Sequence, residues 1–147
     1  MAFEDGPYIK VACFCESVIE GKDGVLSLIR IIDTLTSTAS GPEAPDSMPP
    51  LDVNFKLVVM SVSGLARGRH ELRLLPELPS GIREHDHAFN ASIHFEGEGK
   101  GANVLVDYGY QFEQEGLYWF HLLLDEQLWS KIPFYVRYNR ITTGTRS

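Results

Sequence analysis

Between residues 104 and 112 the chain places Val104, Val106, Tyr108, Tyr110 and Phe112 at every second position. A helix would scatter those five side chains around its circumference, whereas an extended strand lines them up on one face. The segment is therefore a strand with a buried side. The same period recurs elsewhere: Ile9, Val11, Cys13 and Cys15 alternate with Lys10 and Glu16, Leu72 and Leu74 oppose Glu71 and Arg73, and Phe89, Ala91, Ile93 and Phe95 share a side. Apolar or β-branched runs at Val25–Asp33, Val53–Ser63, Leu117–Leu124 and Ile132–Tyr138 bring the expectation to about eight strands.

Turn chemistry, not helical crossovers, separates these strands. Asp23-Gly24 suits a hairpin because both residues tolerate positive φ. Gly64 to Gly68, Pro79-Ser80-Gly81, the glycine-rich run Glu96 to Gly101 and Asp125-Glu126-Gln127 mark further turns, with Glu96 to Gly101 expected to close a hairpin. This pattern predicts an all-β, antiparallel two-sheet sandwich, with a small β-barrel as the alternative. Residues 34–51, crowded with Ser, Thr and five prolines and glycines, are expected to form a long mobile loop, and a polar tail is expected from about residue 140.

The chain has 147 residues, 44% apolar and 22% charged, which fits one domain with a real core. Thirteen basic against twenty acidic side chains leave a net charge of −7, opposing attraction to nucleic acid or to an anionic membrane surface. Met1 to Pro7 lack a basic segment followed by an apolar run, and no long apolar stretch follows, so a cytoplasmic location without a membrane span is expected. Cys13 and Cys15 then read as reduced thiols filling the core, since a bridge between such close neighbours closes almost no loop.

Two stretches resemble known families. Glu115-Gly116-Leu117-Tyr118-Trp119-Phe120 resembles the corner of immunoglobulin-like domains, where a tyrosine precedes a buried core residue by two. This implies an immunoglobulin-like sandwich and no particular function. The run Lys10-Val11-Ala12-Cys13-Phe14-Cys15-Glu16, followed by Lys22-Asp23-Gly24-Val25-Leu26-Ser27-Leu28-Ile29-Arg30-Ile31-Ile32-Asp33, resembles the opening of a family of small, uncharacterised bacterial proteins. That resemblance implies no activity.

Candidate chemistry is sparse. His85-Asp86-His87 after Glu84 is the most metal-like cluster, because two histidines two apart on an extended chain can face one ion, yet two ligands do not make a site. Gly97, Gly99 and Gly101 lack the following helix and Gly-Lys-Ser/Thr ending of a phosphate loop. No cofactor is expected. Arg67, Arg69 and Arg73, interrupted by Glu71, form a basic concentration suited to an acidic partner, with Arg69 and Arg73 as its test positions.

The strongest signal is surplus apolar surface. A sandwich buries one face of each sheet, but Ile29, Ile31, Trp119, Leu123 and Tyr135 lie in strands that are apolar on both faces, flanked by Arg30 and Arg137. These residues predict a face that binds a protein partner or a second copy of the chain, since aromatics and arginine are enriched at interfaces. Two other functions are carried forward. Trp119, Trp129, Tyr108 and Tyr110 could stack on a small ligand or carbohydrate, and His87 or His121 with carboxylates could serve an enzyme.

Overall fold

The computed structural model describes residues 3–142. Nine strands run through them: β1 (Tyr8–Glu20), β2 (Leu26–Ile32), β3 (Thr34–Ser40), β4 (Leu51–Gly64), β5 (Gly68–Glu77), β6 (Phe89–Phe95), β7 (Glu98–Phe112), β8 (Gly116–Leu124) and β9 (Gln127–Ile141). The one helical element described is a short 3₁₀ turn at His85–His87, and no helix is long and apolar enough to cross a membrane. The strands make two sheets, one in the order β2-β1-β4-β7 and one in the order β3-β9-β8-β5-β6.

The sheets face each other across an aromatic core. Phe14 and Phe55 from the four-stranded sheet meet Phe120 and Phe134 from the other, with the Phe14 ring 5.0 Å from both Phe55 and Phe120. Edge-to-face contacts of this kind add to the burial of large apolar area, which is the main force closing the sandwich. The alternation in β7 points Val104, Tyr108, Tyr110 and Phe112 into this core, as its period requires.

The immunoglobulin-like corner is present. The Tyr118 hydroxyl donates to the Gln114 carbonyl at 2.6 Å and accepts the Gln114 N–H at 3.3 Å, while Phe120, two residues on, is fully buried.

Four expectations are corrected. Residues 34–40 are not loop: they form β3, which pairs with β9 in parallel, so the sandwich is not wholly antiparallel. The reason is a second alternation, with Leu35 packed on the core and Thr34, Thr36 and Thr38 exposed; threonine is β-branched and favours a pleated surface. Residues 41–50 do lack strand structure, but they are held to the end of β9 by Tyr138 Oη donating to the Pro45 carbonyl, Arg140 Nε donating to the Ala44 carbonyl, and an Arg140–Asp46 ion pair. Strand β9 continues to Ile141, so residues 140 and 141 belong to the sheet, and the rest of the expected tail, residues 143–147, lies outside the described residues.

The glycine-rich run is not a hairpin either. β6 and β7 belong to different sheets, so Glu96 and Gly97 carry the chain across the sandwich, with Gly97 at φ +93° against the Arg67 side chain. Finally, Cys15 is fully buried as expected and Cys13 half-buried, but neither points into the aromatic core between the sheets. On β1 it is Phe14 that pairs with the core residue Leu57, while Cys13 pairs with Val58 and Cys15 with Lys56, on the outer face.

Candidate functional site

The residues expected to bind a partner fall on two surfaces, not one. Ile29 and Ile31 sit on β2 and look outward from the four-stranded sheet, opposite Ser17 and Cys15. Trp119, Leu123, Tyr135, Arg137, Arg69 and Arg73 are out of phase with the core residues of β8, β9 and β5 and so look outward from the five-stranded sheet. The sandwich lies between the two groups. Sequence patterning identifies an outward residue but not which sheet carries it.

On the five-stranded sheet the register builds a compact aromatic and cationic surface. Glu77, Trp119 and Pro133 lie side by side across β5, β8 and β9, and Leu75, His121 and Lys131 form the next outward row. Lys131 Nζ lies 4.5 Å from the centre of the Trp119 ring, and the Arg137 guanidinium carbon lies 5.3 Å from that of Tyr135. Leu117, opposite Tyr135, extends the patch. Lys131, Pro133 and Leu117 were missed by the sequence reading, although Lys131 and Pro133 are in phase with Tyr135 and Arg137 on one strand.

Two acids of this face have cationic partners, while Glu71, between Arg69 and Arg73, accepts only the Ser92 hydroxyl at 3.4 Å. Glu77 receives His121 Nε2 at 2.9 Å and Arg83 Nε at 3.4 Å, and these contacts, the histidine first, hold its carboxyl below the usual range. Glu126 pairs with Arg73 at 3.3 Å. Among the described residues no carboxylate pairs with Lys131, Arg137 or Arg69. The face thus keeps unneutralised cations on a chain of net charge −7. Arg69 stands apart, opposite His94 at the far end of β5.

The four-stranded sheet presents a different surface. Its outward residues are Cys13 and Cys15 on β1, Lys56, Val58 and Met60 on β4, Leu105 and Asp107 on β7, with Ile29 and Ile31 at the β2 edge. Two ion pairs lie on this sheet: Arg30, at φ +55°, reaches Glu16 at 2.9 Å, and Lys56 pairs with Asp107. Burial pushes both thiols up from 9.0.

The remaining candidates are separated or enclosed. His85 and His87 are exposed on the 3₁₀ turn, with His87 Nδ1 3.7 Å from Glu84 Oε2. Beside them a cavity of about 280 Å³ is lined by Glu84, His87, Gly109, Tyr110, Gln111 and Glu113. Tyr110 donates its hydroxyl to Glu84, and burial followed by that carboxylate pushes the Tyr110 phenol well above its ordinary 10.0. Among the described residues no group of three or more His, Cys, Asp or Glu side chains could hold a metal ion. His121 is only 3% exposed, which keeps a substrate away from it.

The aromatic platforms are likewise occupied. Tyr108 and Tyr110 belong to the core, and Trp129 donates its indole N–H to the Pro7 carbonyl at 2.9 Å while packing on Phe3 and Phe95. Trp119 is the one tryptophan on an outer sheet face.

Comparison with known proteins adds a family and a fold neighbour. A family model described as a family of unknown function, DUF6941, matches residues 10–137. No curated protein matches. Among solved structures, the chain is similar to an immunoglobulin-like protein from Pseudomonas aeruginosa, at 15% sequence identity and a TM-score of 0.42, over 90% of this chain and 97% of that one.

Proposed function

The chain belongs to the DUF6941 family of unknown function, and from that premise we propose that it is a protein-binding module whose five-stranded sheet docks an acidic segment of a partner. The supporting observation is the pairing of each outward aromatic with a cation that has no carboxylate of its own: Lys131 over Trp119 and Arg137 over Tyr135. An ammonium or guanidinium resting on an aromatic ring keeps its donors free for an incoming carboxylate, and Trp, Tyr and Arg are the side chains that carry most binding energy at interfaces.

An open sheet face carrying these side chains suits a macromolecule better than a small ligand. Four cavities among the described residues lie away from Trp119 and Tyr135, beside the 78–87 loop, on the four-stranded sheet and at the β2–β3 crossover. The overall charge of −7 makes a local cationic face a discriminating feature, steering acidic groups to one side of the molecule.

A photo-crosslinking side chain at position 135 tests this in cells, with position 29 on the opposite sheet as control. The reading stands if a defined adduct, identified by mass spectrometry, forms at 135 and is lost when Lys131→Glu and Arg137→Glu are added. Adducts formed equally well from position 29, or unaffected by the charge reversals, would sink it. An adduct with a second copy of the chain would identify the partner as the protein itself.

A further inference from the structure

We infer that the cavity between the 78–87 loop and the end of β7 binds the ammonium group of a small aliphatic amine. The site is separate from the docking surface on the five-stranded sheet, so either reading can fail without the other. One largely buried carboxylate and its surroundings carry the assignment.

Backbone contacts fold the chain back after β5, with the Leu78 N–H donating to the Ile82 carbonyl and the Glu84 N–H to the Pro76 carbonyl. The Tyr110 hydroxyl, from β7, donates to Glu84 and joins this loop to the edge of the four-stranded sheet. Between them lies a space of about 280 Å³, walled by Glu84 and His87 on the loop and by Gly109, Tyr110, Gln111 and Glu113 on the strand side. That volume suits a small molecule, not a drug-sized one.

The lining carries two carboxylates and neither lysine nor arginine. The Glu84 side chain is only 21% exposed, and its one ionic contact among the described residues is His87 Nδ1 at 3.7 Å. Glu113 has no ion-pair partner among them. A carboxylate withdrawn from water is costly to hold without a cation, and a bound ammonium offsets that cost.

The buried phenols record the same negative field. Tyr108 is 6% exposed, its ring stacks on Tyr110 at 16°, and its hydroxyl is enclosed without a hydrogen-bond partner. Burial, and then the Glu84 charge, push the Tyr108 phenol above its ordinary 10.0, which sets that hydroxyl toward Glu84. Burial raises Tyr118 too, the Gln114 contact opposes it, and Glu84 and Glu113 both raise it further, so the two carboxylates share one side of the core. A phenol oxygen accepts from an ammonium as well as donating, which makes Tyr108 a further acceptor on the Glu84 side.

The acceptors favour an organic ammonium over other cations. Among the described residues no group of three or more His, Cys, Asp or Glu side chains could hold a metal ion. A guanidinium asks for a planar pair of acceptors, whereas an ammonium spreads three donors over separate oxygens. Separate oxygens are what this lining offers: Glu84, Glu113, and the side-chain carbonyl of Gln111, whose amide donates to Asp52 at 3.1 Å.

The test is a titration of isotope-labelled protein with putrescine at neutral pH, followed by amide NMR. The expected result is saturable shifts at Glu84, Gly109 and Gln111, and none with uncharged diacetylputrescine. Affinity should fall about tenfold in Glu84→Gln and by a smaller factor in Glu113→Gln, as the loss of a charged hydrogen-bond partner predicts. Glutamine keeps an acceptor for the Tyr110 hydroxyl, circular dichroism establishes that each variant is folded, and the exposed position of Glu113 keeps the test decisive if Glu84→Gln fails to fold. A lysine side chain carries the same ammonium: tighter binding of putrescine than of acetyl-lysine amide identifies a free amine as the ligand, and the reverse order a lysine of a partner. Shifts spread evenly over the surface acids, the same shifts from magnesium chloride, or unchanged affinity in either folded variant would overturn the proposal.

Discussion

Tyr118 and Gln114 close a two-way contact, the phenol donating to the Gln114 carbonyl at 2.6 Å while accepting the Gln114 N–H at 3.3 Å. The ring is fully buried against Phe112 and Tyr110, so the hydroxyl is the polar end of a core residue tied to the turn before β8. Tyr118→Phe keeps the ring but leaves both backbone groups to find other partners, at a cost of about 1–3 kcal/mol. Thermal unfolding should register this as a fall of roughly 2–4 °C per kcal/mol for a chain of this size. No change in melting temperature would mean that the corner is dispensable.

His70 and Asp125 form a second clip, joining β5 to the β8–β9 turn. His70 Nδ1 lies 2.5 Å from Asp125 Oδ2 and Nε2 lies 3.0 Å from the Arg67 carbonyl, an arrangement in which both ring nitrogens donate and the imidazole is charged. The Asp125 carboxylate, which also accepts the Glu71 N–H, raises the histidine above its ordinary 6.5. A raised folded-state pKa stabilises fully below the unfolded value and is lost as pH climbs through the folded one. Denaturant unfolding should therefore show stability falling as pH rises from about 6 through the folded-state pKa, and His70→Gln should flatten that slope.

The outer-face thiols predict a graded reactivity. Burial raises both, Cys13 remains half-buried and Cys15 is fully covered. Thiolate is the reactive form, so iodoacetamide should modify Cys13 slowly at pH 7, faster above pH 9, and Cys15 only on unfolding. Mass spectrometry of the alkylated peptide covering both positions resolves the two sites. Rapid double modification of the native protein would contradict this placement.

Which side of β1 faces the core can be tested directly. Phe14→Ala removes a fully buried ring that touches four other aromatics, and should cost about 3–5 kcal/mol. Ile31→Ala alters a side chain that is 62% exposed and should stay within about 0.5 kcal/mol. Comparable losses from the two variants, measured by urea unfolding, would reverse the assignment of inside and outside.

That reversal is the error the sequence invited. Counting every second residue from Ile9 leads through Val11 to Cys13 and Cys15, and Ile9 does pack on the core. A register shift between Ile9 and Val11 changes the phase by one, and the period of two then turns every later side chain to the opposite face. Only the size of Phe14 signalled the shift. In β7, with no such interruption from Leu51 to Val62 of its partner, the alternation read from the sequence agrees with burial throughout. Strand order was illegible for a different reason. Ile29 and Trp119 look equivalent along the chain, but they are separated by pairings such as β1 with β4 and β8 with β5, which depend on contacts remote in sequence. The corner at Tyr118 was readable because its partner is four residues away.

The Thr-rich segment carries the last prediction. β3 is an edge strand whose backbone pairs with β9 along its whole length, from Thr34 opposite Tyr135 to Ser40 opposite Ile141, and the chain beyond it is fastened to the same strand by Tyr138 and Arg140. Amide hydrogen exchange should therefore protect alternate amides between residues 34 and 40, which a loop would not do. Arg140→Ala removes both a hydrogen bond to the Ala44 carbonyl and the 2.8 Å ion pair with Asp46. It should speed exchange in residues 41–50 while leaving β8 unchanged, because the anchors fasten this segment to an edge pairing and not to the core. Fast exchange across residues 34–40 in the wild-type protein would remove β3 from the sheet, and with it the parallel pairing that departs from the rest of the sandwich.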